Sequence, residues 1–269
     1  MIPVLRGLVD ATTSAERAAP LLVLGPSLGT TAQAWRPAAK ALAATYRVVR
    51  FDLPGHGVSP AIRDSVTMAE LAQAVVELVE SLGGGRFAYA GVSLGGAIGL
   101  ELALGPAASR LDALVVICSG AQIGAPATWL TRADQVRQQG TASLVADSAK
   151  RWFSTNFPSR DPEVVGRILS DLVEVDDESY ARCCEALAHF DRRADLERVV
   201  PPTLVVGGAE DPVVPPEQVA ALAKSIPRAH STVLPGAGHQ AHVEAPDVVA
   251  ALIRRTYPPS RYEEGLVIR

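Results

Sequence analysis

"FAYAGVSLGGAIGL", residues 87–100, decides how the chain is read, because one hydroxyl side chain, Ser93, interrupts a run that is otherwise small or apolar. Residues 87–90 have strand length and apolar character, and residues 94–104 continue as an apolar stretch of helix length. The junction between them, Gly91-Val92-Ser93-Leu94-Gly95, fits G-x-S-x-G. That pattern describes a sharp strand-to-helix turn, in which flanking glycines let the backbone bend and lift a serine hydroxyl out of the sheet. The serine then stands at a helix N-terminus, where unpaired amides and the positive dipole end favour an anion. The pattern alone is weak, arising by chance in about one chain in ten of this length. A glycine-rich turn with a capping serine satisfies it equally well.

Composition narrows the choice. The 269 residues, 48% of them hydrophobic, suit one large α/β domain or a core domain with an insertion. A formal charge of −4 with acids and bases interspersed offers no basic stripe for nucleic acid and no polybasic anchor for a membrane. A small molecule is the expected partner. The opening residues carry Arg6, Asp10, Glu16 and Arg17 without a long apolar stretch, so a cytoplasmic location is expected. Cys118, Cys183 and Cys184 are too few for a disulfide framework and lack C-x-x-C spacing. Cys118 closes the apolar run "LVVIC" and reads as a core residue, the other two as helix packing, and no metal site is implied.

Strand-like segments fall at 21–24, 47–51, 87–90, 113–118, 203–207 and 231–234, with "PVLRGLVD" as a possible antiparallel edge. Helix-like stretches at 33–44, 68–82, 94–104, 216–225 and 245–255 alternate with them. This predicts an α/β fold with a mostly parallel sheet covered on both faces. Between residues 120 and 197 no strand pattern occurs and helix-favouring segments follow one another. Residues 1–120 and 197–257 therefore read as two parts of the core, and 121–196 as a helical lid over the crevice at the strand ends.

Acyl transfer from an elbow serine needs Asp or Glu and then His, in that order. Asp211 follows "TLVVGG" and His239 follows "STVLPGAG", each at the C-terminal end of a strand, on the same edge as Ser93. In that arrangement His239 is the general base, and Asp211 fixes its tautomer and stabilises the imidazolium. The Leu94 amide supplies half of an oxyanion hole, and the loop "GPSLGTTAQAW" the other half, through Leu28. Alternatives stand beside these: Glu210 as the acid and His242 as the base. His189 and His230 fall on element surfaces, and His56 in "DLPGHGVSP" reads as a turn former.

Five motifs in order, "GPSLGT", "FDLPGHGVS", "GVSLGG", "GAEDPVVPP" and "GAGHQAHVEAP", resemble the α/β-hydrolase superfamily over essentially the whole chain. The Asp-Pro pair of that pattern favours Asp211 over Glu210. Many relatives carry His-Gly in the oxyanion loop where this chain has Pro26-Ser27. That variant, with "LGTTAQAW" and the insertion segments "TWLTRADQVRQQG" and "RWFSTNF", is similar to the 3-oxoadipate enol-lactonases of aromatic-compound catabolism. The resemblance implies an anionic enol-lactone substrate opened through an acyl-enzyme without metal or organic cofactor. Arg132 becomes the candidate partner of its carboxylate, against the alternative of a solvated helix-surface arginine, with Trp129 and Trp152 as apolar walls. A carboxylesterase or C–C-bond hydrolase would keep the same triad, and a binder with a vestigial site is the non-enzyme alternative. Residues 258–269 read as a linker followed by "RYEEGLVIR", which resembles the opening of 4-carboxymuconolactone decarboxylases and implies a fused decarboxylase domain.

Overall fold

The computed structural model describes residues 1–10 and 19–259; the decarboxylase-like residues lie outside the described residues. Strands β1 (Arg6–Val9), β2 (Leu21–Gly25), β3 (Arg47–Asp52), β4 (Phe87–Val92), β5 (Leu111–Ile117), β6 (Thr203–Gly208) and β7 (Ala229–Leu234) form one sheet. Its order is β1-β3-β2-β4-β5-β6-β7, antiparallel only at the β1–β3 edge. β2, β4 and most of β5 are buried along their length, which is why they read as continuous apolar runs rather than alternating ones.

Helices α1 (Arg36–Leu42), α2 (Met68–Ser81) and α3 (Leu94–Leu104) cover the first half of the sheet. α3 is buried on nearly every side, as its apolar circumference requires. The helix expected over 33–44 begins instead as a 3₁₀ turn, Ala32–Trp35, because the Asp52 carboxylate takes the Ala32 N–H at 2.6 Å and Thr31 caps Gln33. The insertion contributes α4 (Pro126–Gln139), α5 (Val145–Trp152), α6 (Phe157–Arg160), α7 (Pro162–Val173) and α8 (Asp177–Ala188), and no strand among the described residues. α9 (Pro216–Ser225), α10 (Ala241–Glu244) and α11 (Pro246–Thr256) complete the second half.

Topology places the site. β2 has β3 on one side and β4 on the other, so the chain reverses its direction across the sheet there, and Gly25 pairs with Gly91 at the carboxyl ends. Open α/β sheets bind ligands at such a switch point. No helix among the described residues is long and apolar enough to cross a membrane.

Candidate active site

Ser93 stands between β4 and α3 with φ 55° and ψ −119°, a region L-residues rarely enter. The surroundings over-determine that conformation. Its N–H donates to Ile117 O at 2.9 Å, and its carbonyl accepts from Ser119 Oγ at 2.7 Å and from Ala97 N–H at 3.0 Å. A Cβ on Gly91 would lie 2.2 Å from Gly95 O, and one on Gly95 would lie 2.6 Å from Gly25 O. Both positions must be glycine for the elbow to close.

Asp211 and His239 meet at this edge. His239 Nδ1 lies 2.8 Å from Asp211 Oδ2, with both side chains almost fully buried. Asp211 Oδ1 accepts from Val213 N–H at 2.8 Å and Val214 N–H at 3.1 Å, which fixes the plane of the carboxylate. With Nδ1–H donating to Asp211, Nε2 is left unprotonated for a partner. The Ser93 side chain makes no capping hydrogen bond to the start of α3, so its hydroxyl is not spent on the helix N-terminus.

The alternative residues have other positions. Glu210 is exposed and accepts the Thr155 N–H at 2.8 Å, which holds its carboxyl below the usual range. His242 is buried against Trp35, ring centroids 4.5 Å apart, and neither ring nitrogen has a hydrogen-bond partner among the described residues. Burial, together with nearby His239, pushes it down to about 3. His189 and His230 are exposed.

The loop after β2 faces the elbow. The amides of Leu28 and Leu94 have no acceptor among the described residues, while their neighbours Gly29 and Gly95 are engaged. Gly29 N–H donates to His56 Nε2 at 3.0 Å, and His56 Nδ1 sits 2.8 Å from Pro54 O, so Nδ1 carries the proton. Burial pushes His56 down to about 4, which preserves the acceptor that holds the loop.

Cys118 is the buried core residue its sequence context predicts, and it also borders the acid and the base. It follows β5 with φ 47°, and its Sγ lies within 4.8 Å of the Asp211 and His239 ligand atoms. These three residue types could hold a metal, but Asp211 and His239 engage each other. Burial and then the Asp211 charge push the Cys118 thiol well up, away from the thiolate a metal needs. Nothing in the sequence marked this contact, because it forms between strand ends remote in the chain.

Leu172, Trp152 and Tyr180 of the insertion all reach the oxyanion loop: a Cβ on Gly29 would lie 2.8 Å from Leu172 Cδ1 and 3.2 Å from each of the two rings. Arg132 is neither free nor solvated. Its side chain is 13% exposed, and the guanidinium pairs with Asp147 at 3.2 Å, lies 5.7 Å from the Trp129 ring centroid and abuts the Tyr180 phenol. Tyr180 in turn stacks on His56, centroids 6.3 Å apart, which links Arg132 to the oxyanion loop through two rings. Trp129 donates its Nε1–H to Ile123 O and so ties the start of α4 to the loop after β5.

Comparisons with known proteins agree with this geometry in outline. A family described as "Alpha/beta hydrolase family" matches residues 22–252. The chain is 34% identical to 3-oxoadipate enol-lactonase 2 of Acinetobacter baylyi, over 88% of this chain and 89% of that one. The crystal structure of the enol-lactonase from Burkholderia xenovorans LB400 matches with TM-score 0.89 and 32% identity, covering 94% of this chain and 95% of that one. A thermophilic esterase from Thermogutta terrifontis, solved with malate bound, matches with TM-score 0.86 and 26% identity over 93% and 92%. Since the family match takes in the elbow, the insertion and the loops carrying Asp211 and His239, the chain belongs to the alpha/beta hydrolase family.

Proposed function

We propose that the protein hydrolyses 3-oxoadipate enol-lactone to 3-oxoadipate through a Ser93–His239–Asp211 triad. The observation that carries the reading is the buried His239–Asp211 pair at 2.8 Å on the edge where the strained Ser93 elbow emerges. The substrate comes from the likeness to the two enol-lactonases.

The chemistry needs only side chains and water. Ser93 Oγ attacks the lactone carbonyl while His239 Nε2 takes its proton, and Asp211 stabilises the imidazolium. The carbonyl oxygen becomes anionic within reach of the Leu94 and Leu28 amides, each such donor being worth ~10²–10³ in rate. Collapse breaks the ring C–O bond, and the leaving enol oxygen takes the proton from His239 while remaining tethered to the acyl chain. Tautomerisation to the ketone makes ring closure unfavourable. A water deprotonated by His239 then releases the acid. Arg132, charged at neutral pH, faces the substrate carboxylate, and Trp152 with Trp129 supplies apolar wall.

Loss of enol-lactone absorbance with the purified protein tests this. Ser93→Ala is expected to reduce kcat by at least about 10⁴-fold, and Arg132→Ala to raise KM with a smaller change in kcat. A folded wild-type protein with no hydrolysis above background removes the substrate assignment. A carboxylesterase activity is the second reading, favoured by the likeness to the thermophilic esterase; there a neutral ester is turned over faster than the lactone and Arg132→Ala leaves KM unchanged.

A further inference from the structure

We propose that residues 152–155 of the insertion form a strap that holds the acid and the base of the triad in register, with Glu244 as its principal positioning residue. The inference rests on the triad reading above, and it concerns what fixes the two loops rather than what they do.

Strap and base loop are joined on both sides of His239. Gln240 N–H, immediately after the histidine, donates to Trp152 O at 2.8 Å. Gly238 N–H, immediately before it, donates to Glu244 Oε1 at 2.9 Å, and the same oxygen accepts Ser154 N–H at 3.1 Å. The other oxygen of Glu244 takes the Ser154 hydroxyl. One carboxylate therefore bridges the base loop and the strap. The approach is as close as backbone allows, since a Cβ on Gly238 would stand 2.6 Å from Ser154 N and 2.7 Å from Phe153 C.

The acid loop is joined to the same segment. Thr155 N–H donates to the Glu210 carboxylate at 2.8 Å, and Glu210 is the residue before Asp211. Glu210 N–H donates to Ala237 O at 2.9 Å, closing the triangle between acid loop, base loop and strap. At the other end, the Trp152 ring meets Gly29 beside Leu28. Four consecutive residues thus touch the acid loop, the base loop and the oxyanion loop.

Glu244 is only 8% exposed, and a buried carboxylate is a costly way to fill space. What it provides is direction, because its oxygens accept from defined N–H and O–H groups, whereas an apolar side chain would let the histidine loop slide. Displacement of a reacting group by about 1 Å can cost ~10² in rate. The strap belongs to the insertion, so seating of the insertion and alignment of His239 are one event.

The test uses the full protein and compares Glu244→Ala, Glu244→Gln, Ser154→Ala and Glu210→Ala, on the enol-lactone and on p-nitrophenyl acetate, with thermal melting for each. Glu244→Ala is expected to lower kcat about 10²-fold on both substrates with KM within about 3-fold. Glu244→Gln keeps an acceptor for Gly238 N–H and a donor for Ser154 Oγ, and is expected to recover to within about 5-fold of wild type, with Ser154→Ala and Glu210→Ala between the extremes. A folded Glu244→Ala with wild-type kcat overturns the proposal. So does a rise in KM alone, or equal loss of activity and melting temperature in the Ala and Gln variants, which marks a merely structural role. If wild type turns over the ester and not the lactone, the substrate assignment fails while the strap is judged on the ester. If Ser93→Ala retains ester hydrolysis, the triad reading and the strap fail together.

Discussion

Ser93 pays for its position in backbone strain, of order 1–3 kcal/mol for a residue in that region of φ and ψ. The surrounding close contacts hold it there, and Gly95 is the one that joins the elbow to the oxyanion loop. A methyl group at that position meets Gly25 O at 2.6 Å and Pro26 O at 2.7 Å, both backbone atoms that cannot swing aside. Gly95→Ala is therefore expected to destabilise the protein by about 1–3 kcal/mol, and also to lower kcat, because relief of the clash pushes Pro26 and the Leu28 amide away from the elbow. Denaturant unfolding and steady-state kinetics on the same variant check both, and an unchanged kcat would show that the oxyanion loop tolerates the shift. At this scale Ser93, Asp211 and His239 were legible because each carries a local mark: glycines around it or the end of an apolar strand. The Glu244–Ser154 and Cys118–Gly238 contacts carry none, since they join residues 90 and more positions apart that meet only in the folded chain.

Elements were legible wherever burial left an apolar run or a period. The parallel strands and α2, α3 and α9 lie within one or two residues of their expected bounds, because the central strands and α3 are unbroken apolar runs of characteristic length and α2 and α9 space their buried residues at helical intervals. The insertion was legible only as a break in alternation. Its helices are amphipathic and polar outside, and nothing local tells which of their turns meets the catalytic loops. α4 and α8 illustrate the surface side: Arg137 pairs with Glu178 at 2.8 Å and Glu185 at 2.7 Å, and Arg182 repeats both contacts. These side chains are about a quarter exposed, so water screens them. Arg137→Ala is expected to cost no more than about 1 kcal/mol and to leave kcat within twofold, as judged by melting temperature and turnover. A large loss of activity would mean that the α4–α8 pair also transmits to the strap.

For the molecule as a whole, the pH dependence of stability follows from two buried histidines. His56 is pushed down to about 4 and His242 to about 3, each chiefly by burial. A histidine whose folded pKa lies below its unfolded value of ~6.5 stays neutral in the folded state while the unfolded chain takes up a proton. Its stabilisation is thus fully present above pH ~6.5 and is lost as pH falls toward the folded value. Each histidine contributes a slope of about 1.4 kcal/mol per pH unit in that window. Asp52 and Glu244 act in the opposite sense: burial raises both, so the folded state binds their protons first and softens the decline in the carboxylate range. His242 is the histidine to remove, because its two nitrogens have no partner among the described residues, whereas His56 holds Gly29. His242→Leu is expected to leave stability at pH 7 unchanged or higher, since no hydrogen bond is lost, and to flatten the decline between pH 6.5 and 4 by one histidine's share. Urea unfolding of wild type and variant across that range measures the two slopes. Parallel slopes would mean that folded His242 already carries a proton at mildly acidic pH, and its ring would then need an acceptor in the pocket beside His239.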